Sequence, residues 1–501
     1  MHRPRRPHEP ELTRRLGPVG LRLAPVEIEE RHDLTMSVAD VAGLPQLAGT
    51  QPPPKKGRGL LRMFGEQPSN QWETLPQSFY ELPISVQKSI FGGGVFISDP
   101  DGVKRVMVDN VANYPKTEME KRFFTAMFGE GLLGSDGETW RTHRKVMAPS
   151  FDPRSVQSYA PAMTETAAIF AQHWDQLGEG AEVDIAAEMT ALTLQIICKT
   201  MFSSDSEELV DLTGAALERT QRALNFSILD ILPVIGEMRM KKKTALIHAD
   251  FSGMDAAIYR LIEAREKAPP GEGERKDLLS RLIAAKDPEN GAKLNATEVR
   301  DEVLTIFMAG HETTAVTMTW VWYALSQMPE VAEKLHEELD RVLGGRTPMI
   351  EDIPNLPYTR MVLDETMRLY PPAPGISSRI ALADDEVCGV KIKKGTAIGV
   401  APWVQHRHER LWDDPVRFDP ERFTPEKNAA RPRFAYMPFG AGPRICIGAV
   451  LATTEAMLIL ATLAQRFTPK LSPGQDVKLQ ARITLRPLNG MRMILERRRA
   501  A

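Results

Sequence analysis

Phe439-Gly440-Ala441-Gly442-Pro443-Arg444-Ile445-Cys446-Ile447-Gly448 is the stretch on which the reading of this chain turns. One cysteine sits in a glycine-rich turn, with an arginine two residues before it and an apolar, helix-compatible run directly after it. Sulfur so placed lies near a helix N-terminus, among unpaired backbone N–H groups. That setting and a neighbouring cation both favour the thiolate. Gly440 and Gly442 permit a tight turn that aims N–H donors at the sulfur. A lone thiolate does not complete a tetrahedral zinc site or an iron–sulfur cluster, since each takes several ligands. A buried structural cysteine in a Gly-Pro loop is the plain alternative.

Working outward, composition narrows the class. The 501 residues are 42% hydrophobic and 26% charged, ordinary for a globular protein. A net charge of −3 gives no electrostatic footprint for nucleic acid. Cys198, Cys388 and Cys446 are too few, and odd in number, for a disulfide framework, which fits a reducing, cytoplasmic setting. No run of about 18 apolar residues marks a spanning helix. The N-terminus is basic at Arg3, Arg5 and Arg6 but lacks the apolar core of a secretion signal. Residues 1–60, rich in Pro and Arg and including Gln51-Pro52-Pro53-Pro54-Lys55-Lys56, read as an extended, disordered tail. Residues 61–501 read as one domain, with Pro269–Glu274 a surface loop and Met36 an alternative start.

Helical periodicity dominates, near 154–178, 184–202, 206–225, 244–267, 296–328, 330–343, 358–370 and 447–466. Strand signals are short: Gly94–Ser98, a pair formed by Val387–Ile392 and Thr396–Ala401, and Ile483–Leu488 with Met491–Leu495. Asn489-Gly490 between the last two predicts a hairpin. The predicted fold class is mainly α with small β-sheets.

Residues 295–328 read as one long helix of about 50 Å. Asn295 and Glu298 make a capping box at its start, and Pro329 follows its end. Its centre is Ala309-Gly310-His311-Glu312-Thr313-Thr314. Ile306, Ala309, Gly310, Thr313 and Thr317 share a face that runs from bulky to small to hydroxylic. The Thr313 hydroxyl is placed to bond the Ala309 carbonyl, and Gly310 lowers helix propensity there. A core helix whose threonines only satisfy carbonyls is the competing view. His311 has no second histidine at i+4, so a zinc-protease pattern is absent. In Val362–Tyr370, Glu365 and Arg368 stand at i,i+3, able to pair, before Pro371-Pro372 ends the helix.

Phe439, Gly442, Arg444, Cys446 and Gly448, taken with the hexapeptide Ala309–Thr314, resemble the cytochrome P-450 family of haem-thiolate monooxygenases. The resemblance covers roughly residues 72–501 and implies that family's fold, with the long central helix over the haem. It implies one haem b (iron protoporphyrin IX) per chain, with Cys446 thiolate as axial ligand of the iron. Phe439 would shield the sulfur, and Gly448 would leave room for the next helix. Ala309 and Gly310 would give the cofactor and O2 space. Arg444, Arg379 and the Trp140–Arg144 pair fall where haem propionates are bound. Arg422, in Phe418-Asp419-Pro420-Glu421-Arg422-Phe423, would join Glu365 and Arg368 in a structural network.

In the family, Glu312 and Thr313 deliver protons while dioxygen is activated. The implied activity is insertion of one oxygen atom from O2 into a lipophilic small molecule, by hydroxylation or epoxidation. Phe123, Phe124, Leu132, Leu133, Phe307, Met308, Pro374, Gly375, Ile376 and Ile483 fall on the substrate-contacting segments. No flavin or nicotinamide glycine fingerprint is evident, so a separate ferredoxin or flavodoxin with its reductase is the expected electron donor, docking on Lys427, Arg431, Arg433 and Arg444. A peroxide-driven peroxygenase and a non-catalytic haem sensor are the alternatives, and Glu312-Thr313 argues against both. The chain lacks the N-terminal membrane anchor of many eukaryotic members and so looks like a soluble, bacterial-type one. Phe226–Ile235 followed by Arg239, Lys241, Lys242 and Lys243 suggests peripheral membrane contact, weighed against an ordinary lid with a solvated face.

Overall fold

The computed structural model describes residues 46–55, 69–87, 94–203, 233–267, 277–287, 289–376 and 378–498. The helix expected at 206–225, the loop Pro269–Glu274 and the apolar side chains of 226–235 lie outside them. The longer helices are α1 Glu118–Phe128, α2 Gly137–Met147, α3 Pro153–Leu177, α4 Ile185–Phe202, α5 Pro233–Glu266, α6 Leu278–Ala284, α7 Ala296–Gln327, α8 Pro329–Leu343, α9 Pro357–Leu369 and α10 Ala449–Ala464.

α7 is the axis of the fold. Its start is the capping box read from sequence: the Asn295 side chain accepts from the N–H groups of Thr297 and Glu298, and Glu298 accepts from the Asn295 N–H at 2.8 Å. It is buried on nearly every side because helices surround it, α4 along one face and α10 along another. α4 is itself long and apolar enough to cross a membrane, yet Met189, Leu192, Ile196 and Met201 are buried in the core against α7 and α3. Asp184 caps α4 by accepting from the Ala186 N–H at 3.0 Å.

The strands are short and lie at the sides. β1 (Ile84–Gln87), β2 (Gly94–Ile97), β7 (Ala397–Gly399) and β4 (Arg379–Ile380) form one sheet in that order, with β2 and β7 parallel. β3 (Glu182–Asp184), β11 (Arg492–Ile494) and β8 (Lys470–Leu471) form a second, while β5 (Asp385–Val387) with β6 (Val390–Ile392), and β9 (Leu479–Ala481) with β10 (Leu485–Pro487), make two-stranded ribbons.

Two expected pairings do not occur. Val387–Ile392 does not pair with 396–401 but belongs to a hairpin of its own, turning on Cys388 and Gly389 with φ of 49° and 79°. The 397–399 strand pairs with β2 and β4 instead. The Asn489-Gly490 turn joins no hairpin either: β10 pairs with β9, and β11 with β3 and β8. Gly490 is needed for a close approach, since a Cβ there would collide with the Asp184 carboxylate. That carboxylate also accepts the Met491 N–H at 2.9 Å, so the cap of α4 draws the chain away from β10.

Part of the expected N-terminal tail is packed. Leu47 is 2% exposed, the Ala48 N–H donates to the Tyr323 hydroxyl at 2.9 Å, and the Tyr370 hydroxyl donates to the Ala48 carbonyl at 2.8 Å. Those tyrosines flank Trp320 of α7, which stacks on Tyr370 at 4.5 Å between ring centroids. Burial of Leu47 and two bonds to its neighbour offset the entropy of ordering this segment.

Candidate active site

The cysteine loop is shaped by its own backbone. The Cys446 N–H donates to the Phe439 carbonyl at 2.9 Å, and the Ile445 N–H to Gly442 at 3.0 Å, closing a 3-10 turn. Gly440 and Gly442 have φ of 79° and 71°. Gly442 also has no room for a side chain, because a Cβ would strike the Met107 carbonyl. Gly448 is the N-cap of α10. The residue is exposed, yet its sulfur lies deep among protein atoms. Burial pushes the thiol up, against the Gly448 N–H and the charge of Arg144, which pull it down. Sequence reasoning expected these local groups to win; burial outweighs them, and a bound metal ion is what ionises such a thiol outright.

Arg444, the cation read beside the sulfur, faces elsewhere. It pairs with Asp136, the N-cap of α2, and lies over the Trp140 ring at 4.3 Å. Arg144, one turn after Trp140, is the cation whose charge reaches Cys446. His143 between them ties α2 to α7, its Nδ1 lying 2.8 Å from Glu302.

Arg379 and Lys116, joined by a β-bridge, are 3% and 5% exposed. Burial, then the charge of Arg444, lowers Lys116 to about 8 and Arg379 to about 10. The Lys116 ammonium donates to the Leu133 carbonyl at 2.5 Å. Among the described residues, Lys116, Arg379 and Arg144 have no carboxylate within ion-pair distance. A cluster of buried cations with so little countercharge suits a ligand that brings two carboxylates of its own. One thiol with this cluster is a donor set that fits iron protoporphyrin. Lys116 escaped the sequence reading because a single lysine after Tyr114-Pro115 carries no spacing signal.

On α7, Asp301–Met308 and His311 are buried while Ala309 is exposed, so the helix opens at one point. Hydroxyls crowd its carbonyls there. Thr313 donates to Ala309 at 2.8 Å, Thr314 to Gly310 at 3.1 Å, and Thr193 of α4 to His311 at 2.9 Å. Gly310 was expected to leave space for the cofactor. Instead its missing Cβ would point at Ile197 of α4, 3.2 Å away, so the glycine admits α4. His311 is fully buried, bonded through Nδ1 to the Phe307 carbonyl at 2.7 Å, and burial pushes its pKa down. The Glu312 carboxylate pairs with Arg486 at 2.5 Å and accepts from the Thr484 hydroxyl. Neither partner was legible in the sequence, since Thr484 in the β9–β10 turn and Arg486 on β10 lie far along the chain.

The family model for cytochrome P450 matches residues 90–491. The chain belongs to the cytochrome P450 family. It is 34% identical to cyclooctat-9-en-7-ol 5-monooxygenase of Streptomyces melanosporofaciens, over 70% of this chain and 74% of that protein. It is 32% identical to pentalenene oxygenase of Streptomyces avermitilis, over 71% and 78%. The crystal structure of the cytochrome P450DA heme domain superposes with a TM-score of 0.73 at 26% identity, covering 83% of this chain and 90% of that one. The mainly helical fold with small sheets is thus the P450 fold, and its cofactor is a haem held by a thiolate.

In this P450 a buried ion pair holds the segment 406–422 to α9. Arg368 donates to both oxygens of Glu365, at 2.6 and 2.8 Å, and both side chains have no exposure. The remaining Arg368 donors reach the carbonyls of His406, Pro415 and Arg417. The Asp419 N–H also bonds Glu365, at 2.7 Å, and Arg422 stands 3.6 Å from it while donating to the Asp413 and Asp414 carbonyls.

Other expected contacts shift. Phe307 turns into the core between Phe202 and His311 rather than toward an opening. Arg431 is sandwiched on Trp412 and Phe423, each 4.5 Å away, and Arg444 is engaged with Asp136, so of the four expected docking cations only Lys427 and Arg433 stand exposed. Lys241 and Lys242 are exposed on α5.

Proposed function

We propose that this P450 monooxygenase inserts one oxygen atom from O2 into a lipophilic terpenoid, with Cys446 as the haem ligand. The observation that carries the assignment is the single deep sulfur accompanied by buried cations that lack carboxylates. When bound, the haem supplies oxygen activation, and thiolate donation promotes it. The chain's own residues do the rest. Cys446 would bind the iron, while Lys116, Arg379 and Arg144 would hold the two propionates. Thr313 and Glu312 order and move protons, and the apolar side chains select substrate by shape. The terpenoid class is supported by the two Streptomyces relatives, whose names give cyclooctat-9-en-7-ol and pentalenene as substrates. Electrons come from a separate ferredoxin or flavodoxin with its reductase.

Three measurements test this reading. Cys446→Ser abolishes the thiolate signature in the spectrum of the reduced, carbon monoxide-bound protein. Thr313→Ala keeps haem and that spectrum but diverts reducing equivalents to hydrogen peroxide, lowering product per NAD(P)H by about tenfold or more. Unchanged coupling would remove Thr313 from the mechanism. Cyclic diterpene and sesquiterpene alcohols and olefins should shift the haem toward high spin, and a response to small polar compounds alone would overturn the substrate class.

A further inference from the structure

Glu312 is held by a piece of chain that no motif connects to it. β9 and β10 form a ribbon whose turn is Arg482-Ile483-Thr484. From this tip and the strand after it, three donors converge on one oxygen of Glu312. The Thr484 hydroxyl, Arg486 Nε at 3.0 Å and Arg486 Nη2 at 2.5 Å all meet Oε1, and Arg486 Nε also lies 3.2 Å from the Thr484 hydroxyl. Oε2 has no partner among the described residues. The arrangement is rigid behind the contact. The Leu485 N–H donates to Pro372 at 3.0 Å, and Trp320 of α7, two turns on from Glu312, donates to the Leu485 carbonyl at 2.7 Å. Thr484 is 5% exposed, whereas Ile483 beside it is 39% exposed, an aliphatic side chain presented outward from the same turn.

A carboxylate that moves protons needs one oxygen free and a fixed orientation, because a small misplacement of a reacting group costs a large factor in rate. A guanidinium fork with a hydroxyl supplies that orientation while occupying one oxygen. We propose that Arg486 and Thr484, from the β9–β10 ribbon, are positioning residues for Glu312. This rests on the reading of Glu312 as the proton-moving carboxylate.

The test uses Arg486→Gln, Arg486→Lys, Thr484→Val, Glu312→Gln and the double variant Glu312→Gln/Arg486→Gln. In haem-loaded enzyme with a saturating terpenoid, Arg486→Gln lowers product per NAD(P)H by about tenfold, with the substrate-induced spin shift retained. Arg486→Lys recovers part of the loss, and Thr484→Val loses less. The double variant is no worse than Glu312→Gln alone, because both act on one group. Independently of activity, amide hydrogen exchange in haem-free protein speeds up across 482–487 in both Arg486→Gln and Glu312→Gln. If Glu312→Gln uncouples the enzyme while Arg486→Gln does not, or exchange is unaltered in both, the clamp is overturned and the proton reading stands. If Glu312→Gln itself leaves coupling unchanged, the proton reading and the clamp fall together.

Discussion

Glu455 carries a carboxyl into the interior on α10 with Oε1 unbonded and only 4% of the residue exposed. Burial alone pushes it from 4.5 up to about 8. Between those values the folded protein holds a proton that the unfolded chain releases. Stability therefore falls as pH rises through that window and levels off above it. Glu455→Gln should be more stable than the parent by about 2–4 kcal/mol at pH 8 and by nothing near pH 4.5. Urea unfolding at the two pH values checks this, and an equal gain at both would mean the carboxyl's charge is not the cause. Glu455 also shows what single residues conceal. Cys446 and the Ala309–Thr314 hexapeptide were legible because their meaning lies in local spacing. Glu455, Lys116, Thr484 and Arg486 take theirs from neighbours far along the chain.

Among elements, the joint between α9 and the segment 406–422 is the one most exposed to mutation. Arg368→Ala would strand Glu365, which has no exposure, and cost about 3–5 kcal/mol. The expected result is a lower urea midpoint together with loss of haem on gel filtration. Retention of both would reduce the network to a bystander. Helices were readable where period and caps agree, as at Asn295 and Glu298 of α7. The strands were readable in place but not in pairing. Asn489-Gly490 is a sound local hairpin signal, overruled by Asp184 from a segment some three hundred residues earlier. The turn at Cys388 gave no signal, since cysteine rarely takes a positive φ.

For the molecule as a whole, the N-terminal segment decides where the chain must begin to be stable. A protein starting at Met36 keeps Leu47–Thr50 and their contacts. One starting after Thr50 loses the burial of Leu47 and the two bonds of Ala48 to Tyr323 and Tyr370, worth about 2–4 kcal/mol. Calorimetry of the two truncations decides, and equal midpoints would make the segment dispensable. Its proline-rich composition pointed to a tail because Leu47-Ala48-Gly49-Thr50 offers too short an apolar run to announce a docking site.

The nesting of Gly442 against the Met107 carbonyl has a consequence for biosynthesis. The strip 105–109 leaves the ribosome first, and the loop it moulds emerges some three hundred residues later. Until then Cys446 is not there for iron to find, so cofactor capture waits on this loop, and a message broken before it yields a colourless product.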